Sequence, residues 1–556
     1  MTPDDIYVPA HLLVAPILIP LVAGALMLFY DDRQRKTKLG IGFAAIGALF
    51  LISLELIARV KGDATNQTIV ATYLLGDWPV PIGIVLVVDR LSAMMVMLTT
   101  LIALPSLIYA AAGWQGKGQH FHTMFQLLLA GVNGAFLTGD LFNLFVFFEV
   151  MLAASYGLML HGSGVERIKQ GLHYIAINLA ASLLFLLGAA LVYGTTGTLN
   201  MADISRVVPL LDEPQRLLFH AAAALLGMAF LTKAAVWPLC FWLPPTYTAA
   251  SPPAAAVFAI MTKVGLYVIL RLVTLTFGHD AGSSAGFGGP VLIVGGMATM
   301  AYGMIGVLGS QGVSIKGGYI ALISSGTVLT AVGISLLGGG AQILSGALYY
   351  MIGSTIAIGA YFLLSEPISR GIEGRVEEDD AQISDPVLER WAPMMGTVED
   401  EEAPATTRTA PWTALGVSFV LISAMLAGLP PFPGFVGKVA MMSGAFHDNA
   451  GINGMIPVIL WVYAALLIVS GFAVMIALVR LGIRRFWVSE NPPTRVLALE
   501  IGPVLLILAM IVFQTVKSGP LLHYTDATAQ DLSTPAVYRN AVLSAPVVAD
   551  SMGGGQ

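Results

Sequence analysis

Apolar residues run along the chain in fourteen stretches separated by polar turns, and that pattern predicts helices that cross a membrane. The stretches are 11–30, 38–60, 84–112, 122–139, 141–160, 169–194, 215–238, 253–277, 289–309, 316–337, 341–365, 412–445, 455–482 and 497–516. Each is close to the roughly 20 residues that a bilayer core of about 30 Å requires. The seventh is extended by a short second half around 239–250. The twelfth is interrupted by Pro430, Pro431, Phe432, Pro433 and Gly434. The predicted fold class is an all-α polytopic membrane protein with about fourteen transmembrane helices, of which the seventh and twelfth are broken. Composition agrees: 56% of the 556 residues are hydrophobic and 11% charged, which no water-soluble domain of this length matches.

Charge sets the expected orientation. Asp4 and Asp5 precede the first apolar run, and Arg33, Arg35, Lys36 and Lys38 follow it. That order reads as an uncleaved anchor with its N-terminus outside. Of the 27 Lys and Arg, sixteen fall on the side of this first cluster, eight on the other and three inside apolar stretches. The imbalance predicts both termini on the external side. Residues 371–411 hold eleven of the 33 acidic residues and four prolines, and read as a solvated cytoplasmic linker. The tail after 517 is mixed polar, with frayed last residues expected.

The chemistry lies where charge interrupts the apolar pattern. Lys233, Lys263 and Lys438 sit inside predicted spans, as does Glu149. An ionisable group at the bilayer centre costs about 2.5–3.5 kcal/mol, so these four are expected to face a polar interior and to handle ions or protons. Lys233 precedes Trp237 and Pro238, and Lys438 follows the proline cluster. Helices break inside membranes where backbone lines a cavity or an ion path. The recurrence of a broken helix with a lysine suggests two related halves. Other polar residues have plainer readings. Asp140 and Asp89 stand at helix starts and suit capping, with a relay role as the alternative for Asp140. His173 suits a satisfied interior histidine, with a relay role as the alternative. His120 and His122 are a loop pair, and the 24 methionines are packing residues. One cysteine, Cys240, excludes disulfides and cysteine-ligated clusters. No metal site, dinucleotide fingerprint or basic nucleic-acid patch is present in the sequence, so neither a cofactor nor a nucleic acid is expected.

Several motifs resemble one superfamily. The run from Lys233 to Tyr247, then Ser251-Pro-Pro-Ala and Thr262-Lys263-Val-Gly-Leu-Tyr, is similar to the proton-translocating antiporter-like subunits of complex I and of Mrp-type antiporters. Gly139-Asp140-Leu-Phe-Asn-Leu-Phe-Val-Phe-Phe-Glu149 resembles their fifth helix, and Leu429-Pro-Pro-Phe-Pro-Gly-Phe-Val-Gly-Lys438 their broken twelfth. Leu243-Pro-Pro-Thr-Tyr247, the segment Val474–Trp487 and the segment Gly519–Ala529 resemble the D-type subunit of Mrp-type (Pha/Mnh) monovalent cation/proton antiporters.

The resemblance implies four regions. They are N-terminal helices (1–112), two inverted five-helix repeats (113–280 and 281–482), and a last helix with its tail (483–556). It implies a secondary transporter subunit and not an enzyme, in a bacterial inner membrane, assembled with partners of the A, B, C, E, F and G types. Protons would move through Glu149, Lys233, Lys263 and Lys438 in exchange for Na+ or K+. A proton-pumping subunit of a complex I-like or hydrogenase complex is the alternative. Two departures stand out. Relatives often carry histidines in helices ten and eleven, whereas here Lys316 is followed by no histidine and the eleventh helix reads Tyr350-Met-Ile-Gly-Ser-Thr-Ile-Ala. Protons in that half would depend on Ser324, Ser325, Thr327, Ser354, Thr355 and water, or that half is a poorer path than the first. Lys316 itself is a secondary candidate.

Overall fold

Each of the fourteen apolar stretches contains helix in the computed structural model, which describes residues 10–61, 69–381, 410–448, 455–487 and 497–546. The first helices are α1 (Ala10–Leu28), α2 (Arg35–Val60), α3 (Arg90–Ala110), α4 (Phe121–Leu137), α5 (Leu141–Leu160) and α6 (Val165–Thr196). The middle of the chain forms α7 (Met201–Val207), α8 (Glu213–Lys233), α9 (Leu243–Ala249), α10 (Pro252–Thr276), α11 (Gly289–Gly309), α12 (Val313–Leu336) and α13 (Ala341–Ala381). The remainder forms α14 (Ala410–Ala427), α15 (Pro433–Asp448), α16 (Met455–Gly482), α17 (Ala498–Val516), α18 (Ser518–Ser533) and α19 (Pro535–Leu543). Among the described residues twelve helices are long and apolar enough to cross a membrane, and α4 and α14 are shorter apolar helices.

The helix starts follow local chemistry. Asp89, Asp140 and Asp212 cap α3, α5 and α8 by accepting the backbone N–H three residues on, which pairs a donor that helix geometry leaves free.

Three sequence expectations change. Residues 85–88 are not the start of the third helix. They form strand β2 (Val85–Val88), antiparallel to β1 (Ala71–Leu74) with Ala71 opposite Val88. β-branched residues in an extended run account for it. The second half of the seventh span is helical only from Leu243, because Pro238 cannot join a helical ladder. α13 runs on to Ala381, through the first eleven residues of the segment read as a linker; 382–409 lie outside the described residues. The tail after 517 folds as far as Leu543; its last residues, read as frayed, lie outside the described residues. α18 packs on α13 and α19 on α7, with Thr525, Thr528 and Tyr538 buried.

The helices that carry Lys263 and the serines around it are the most enclosed. In the most apolar window of α10, α12 and α13, 89%, 83% and 94% of residues are buried, against 33–39% in α2, α6, α8 and α11. Lipid supplies no hydrophobic drive for one helix to bury another, so small residues must let backbones approach. A Cβ on Gly326 of α12 would come within 2.5 Å of the Gly296 carbonyl of α11. A Cβ on Gly346 of α13 would come within 2.5 Å of the Met441 nitrogen of α15.

Polar clusters fix α3 at both ends. At its start Arg271 donates to both oxygens of Asp89, at 2.6 and 2.8 Å, and Tyr538 lies 4.8 Å from the guanidinium. Burial alone would push the Asp89 carboxyl up, but the facing guanidinium outweighs it and holds the group below its ordinary value. At the far end Glu366 accepts from the Tyr109 hydroxyl and the Trp114 indole, while Arg370 bridges Glu366 and Glu500. Removing one partner of a buried pair leaves an uncompensated charge. Asp89→Ala or Arg271→Ala is therefore expected to cost about 3–5 kcal/mol. Asp89→Leu combined with Arg271→Met should recover most of it. The midpoint of thermal unfolding in detergent is the measurement.

Candidate functional site

Two broken helices, α8 with α9 and α14 with α15, bring the intramembrane charges toward the enclosed helices. α8 ends at Lys233 because Ala235 turns into the left-handed region (φ 54°) and Pro238 follows. The carbonyl of Thr232 at that end accepts the indole N–H of Trp242 from beyond the break, at 3.1 Å. The backbone N–H of Trp237 donates to Thr299 of α11 at 2.8 Å. α14 ends in the same way: Gly428 is left-handed (φ 78°), Pro430 and Pro431 follow, and α15 starts at Pro433 and Gly434. A Cβ on Gly434 would collide with the Met425 carbonyl, so the two half-helices meet there backbone to backbone.

Glu149 of α5 is half-buried, and Lys233 is 5% exposed. The sequence suggested a direct pair if the fifth and seventh spans touch. Instead α6 contributes the link. Ser182 donates to Glu149 Oε1 at 2.5 Å, and the Lys233 ammonium donates to Ser182 Oγ at 3.4 Å. The ammonium also lies 5.1 Å from the centre of the Phe148 ring. Sequence reasoning missed Ser182. The signal was there: Tyr174, Asn178 and Ser182 recur at helical spacing in an apolar helix and mark its inward face.

Lys263, fully buried in α10, donates to Ser324 Oγ of α12 at 3.0 Å. Ser324 in turn bonds Ser354 of α13 at 2.9 Å. The Tyr350 hydroxyl faces Ser324 and Thr327. Next to these groups lies a cavity of about 10 Å³, reached by Ser324, Tyr350, Ser354, Met425 and Gly434. That is about the room one water occupies. The cavity leads toward α15, where Lys438 donates to the carbonyls of Leu467 (3.2 Å) and Ala427 (3.5 Å). Ala427 is the last residue of α14, so Lys438 closes the carbonyl end of that half-helix.

Direct hydrogen bonds among the described residues thus form three groups, around Lys233, Lys263 and Lys438. None of the three lysines has an ion-pair partner among these residues. No group of His, Cys, Asp and Glu among them could hold a metal.

The other candidates fall elsewhere. Asp140 caps α5 through the N–H of Asn143 at 2.8 Å, and burial pushes its carboxyl up. His173 is not an interior histidine. It lies exposed on α6, its ring 5.7 Å from Phe241, because it stands one position off the buried Tyr174 face. Lys316 binds the carbonyls of Val307 and Ser310 at the end of α11, away from Lys263. Ser325 is buried without a hydrogen-bond partner; Thr327 and Thr355 bond back to their own helices.

The chain resembles known proteins over nearly its whole length. Residues 138–373 match the family model described as NADH:quinone oxidoreductase/Mrp antiporter, TM. A relative from Rhizobium meliloti (strain 1021), named as the probable D-type subunit of a K+/H+ antiporter, is 48% identical over 96% of this chain and 98% of its own. A relative from Alkalihalophilus pseudofirmus, named as the D-type subunit of a Na+/H+ antiporter, is 32% identical over 96% of this chain and 99% of its own. Among solved structures, a chain of the Mrp complex from Dietzia sp. DQ12-45-1b superposes with a TM-score of 0.79 at 24% identity, over 96% of this chain and 99% of that one. A chain of respiratory complex I from Thermus thermophilus superposes at 0.71 with 22% identity, over 94% and 99%.

The bridging position of Ser182 makes a specific prediction. Ser182→Ala leaves Lys233 without its charge-assisted hydrogen bond and is expected to slow cation/proton exchange about tenfold. Ser182→Thr, which keeps a hydroxyl, should retain most of the rate. Asp140→Asn should stay near wild type, since Asn caps a helix as well as Asp does. The assay is proton movement in everted vesicles at matched protein levels.

Proposed function

The chain belongs to the family of D-type subunits of Mrp antiporters, and on that premise we propose that its Glu149, Lys233, Lys263 and Lys438 form the proton relay of a cation/proton antiporter. It is a multi-pass membrane protein and a transporter subunit. The observation that carries the relay reading is the chain of hydroxyls that meets two of the lysines: Ser182 at Lys233, and Ser324 with Ser354 at Lys263. Neutralising Glu149 removes the counter-charge that Ser182 transmits to Lys233, and a lysine in a dry interior then favours its neutral amine. Lys263 takes the proton next. The hydroxyls of Ser324 and Ser354, with one water in the adjoining cavity, stand in the second half where the histidines of relatives are missing, and hand it toward Lys438. Ser182 and the serine pair serve one half-channel in each of the regions 113–280 and 281–482, which we read as inverted repeats.

Cargo and partners follow from the relatives. The cation is K+ or Na+, the two ions in the relatives' names, with the 48%-identical relative favouring K+. The chain works with subunits of the A, B, C, E, F and G types in a bacterial inner membrane, with both termini outside. The excess of Lys and Arg on the other face supports this orientation.

Arginine stays protonated in proteins and lysine need not. Lys233→Arg and Lys263→Arg are therefore expected to lose at least about 90% of exchange, a barrier increase of about 1.4 kcal/mol. Lys438→Arg should keep part of it, because Lys438 also closes a helix end by charge alone. Near-wild-type rates for both Lys233→Arg and Lys263→Arg, between pH 7 and 9 with K+ and with Na+, would show that these lysines act as fixed charges and would end the relay reading. A second outcome bears on the partners: this chain expressed alone in an antiporter-deficient cell is expected not to restore salt tolerance.

A further inference from the structure

Several cations near the ends of the spans are answered by a carboxylate: Lys38 by Asp32, Arg59 by Glu55, Arg90 by Asp531, Arg206 by Asp203, Arg271 by Asp89 and Arg370 by Glu366 and Glu500. A cluster of four that share one cavity is not. A cavity of about 500 Å³ opens where α11 ends, α12 begins and α16 ends. Lys316, Arg480, Arg484 and Arg485 line it, with Gln311 and Ser310, and no acidic residue does. Lys316 is 5% exposed and spends its donors on the carbonyls of Val307 and Ser310. Arg484 donates to Gln311 Oε1 at 2.9 Å. Arg480 and Arg485 have no hydrogen-bond or ion-pair partner among the described residues. Four like charges in one cavity repel one another until an anion enters.

The surroundings say which anion. On α16 and the turn that continues it, Ile476, Val479 and Ile483 stand on the same face as Arg480 and Arg484 and are 46–51% exposed. Across from them Ile305 and Leu308 of α11 are 73% and 40% exposed. A cationic cavity thus sits beside exposed apolar side chains of two neighbouring helices that are long and apolar enough to cross a membrane. A free phosphate would use the first feature and not the second. Basic pockets between helices at the membrane boundary suit the headgroups of anionic lipids. We propose that this cavity seats the headgroup of an anionic phospholipid of the diphosphatidylglycerol (cardiolipin) type. Its phosphates are held by Arg480, Arg484 and Arg485 over the Lys316 floor, and its acyl chains lie along α11 and α16. Lys316 on this reading belongs to a lipid site and not to the relay. The same positive field makes the cavity unsuitable as an entrance for the transported cation.

The test uses the complete antiporter complex, delipidated into phosphatidylcholine nanodiscs and titrated with cardiolipin, with bound lipid counted by native mass spectrometry. The wild type is expected to take up cardiolipin in preference to added phosphatidylcholine. Each arginine charge removed should weaken binding about fivefold, so that Arg480→Gln with Arg484→Gln and Arg485→Gln loses about 100-fold. The matching triple lysine variant should keep most of the affinity. Equal uptake by the wild type and the glutamine variant would overturn the proposal. So would displacement of the lipid by millimolar inorganic phosphate, which would mark a free-anion site. Should the glutamine variant fail to assemble, a photoreactive cardiolipin on the wild-type complex decides. Labelling within 305–316 and 476–485 supports the site. Labelling confined elsewhere, or a cavity filled by an acidic segment of another subunit, refutes it.

Discussion

A helix that stops inside hydrocarbon leaves carbonyl groups with no water to bond, and the arrangement of this chain depends on how those groups are answered. An unpaired polar group there costs about 2–7 kcal/mol depending on the reference state. α8 and α14 both stop at a break followed by proline, within apolar sequence. Trp242 answers the carbonyl of Thr232, and Lys438 answers that of Ala427. The negative end of a half-helix also favours a nearby cation, by about 0.3–2 kcal/mol. That is less than the roughly 2.5–3.5 kcal/mol that inserting the charge costs, so neither lysine can rest on it alone. Lys233 adds Ser182 and the Phe148 ring, and Lys438 adds the Leu467 carbonyl. Lys263 has no half-helix end. It lies in the middle of α10 and its hydrogen bond goes to Ser324. Of the three it has the least to hold a charge in place, which suits a group that carries a proton only in passing.

Enclosure and rigidity follow from the same economy. α10, α12 and α13 are almost wholly surrounded by other helices, and glycine contacts hold neighbouring backbones at the limit of approach. α3 is tied at one end by Asp89 and Arg271 and at the other by Glu366, Arg370 and Glu500. Such a frame leaves little room for helix movement. Motion near the relay is then a matter of hydroxyl rotation, water exchange and side-chain torsions.

The fold was legible in the sequence where hydropathy alone decides. The apolar stretches and both breaks were placed from run length and proline, and the four charged residues were singled out by the cost of burying them. What escaped was whatever depends on the register between helices. Ser182 looked like any small residue of an apolar helix until its spacing from Tyr174 and Asn178 was set against α5 and α8. His173, one residue from Tyr174, points the other way for the same reason: adjacent positions on a helix differ by about 100°. Asp89 was legible as a cap, but its partner Arg271 is 182 residues away, and no local pattern links them. The hairpin β1–β2 was lost inside an apolar run because hydrophobicity does not distinguish a buried strand from the start of a helix. In the second half, the loss of the relatives' histidines pointed to serines, and packing singled out Ser324 and Ser354 from Ser325, whose hydroxyl has no hydrogen-bond partner.

The Ser182 bridge has a direction. A serine hydroxyl carries one hydrogen, and here it points at Glu149 while the oxygen accepts from Lys233. Were a proton to pass from the ammonium to the hydroxyl and the hydroxyl's own hydrogen to the carboxylate, the reverse of the relay direction proposed above, the bridge would be left pointing backwards, toward the neutral amine. It cannot pass a second proton the same way until the C–O bond has turned. On the proposed relay the bridge would therefore act as a turnstile against back-transfer: one rotation of one hydroxyl would stand between successive protons, and between the two charged residues and a continuous leak.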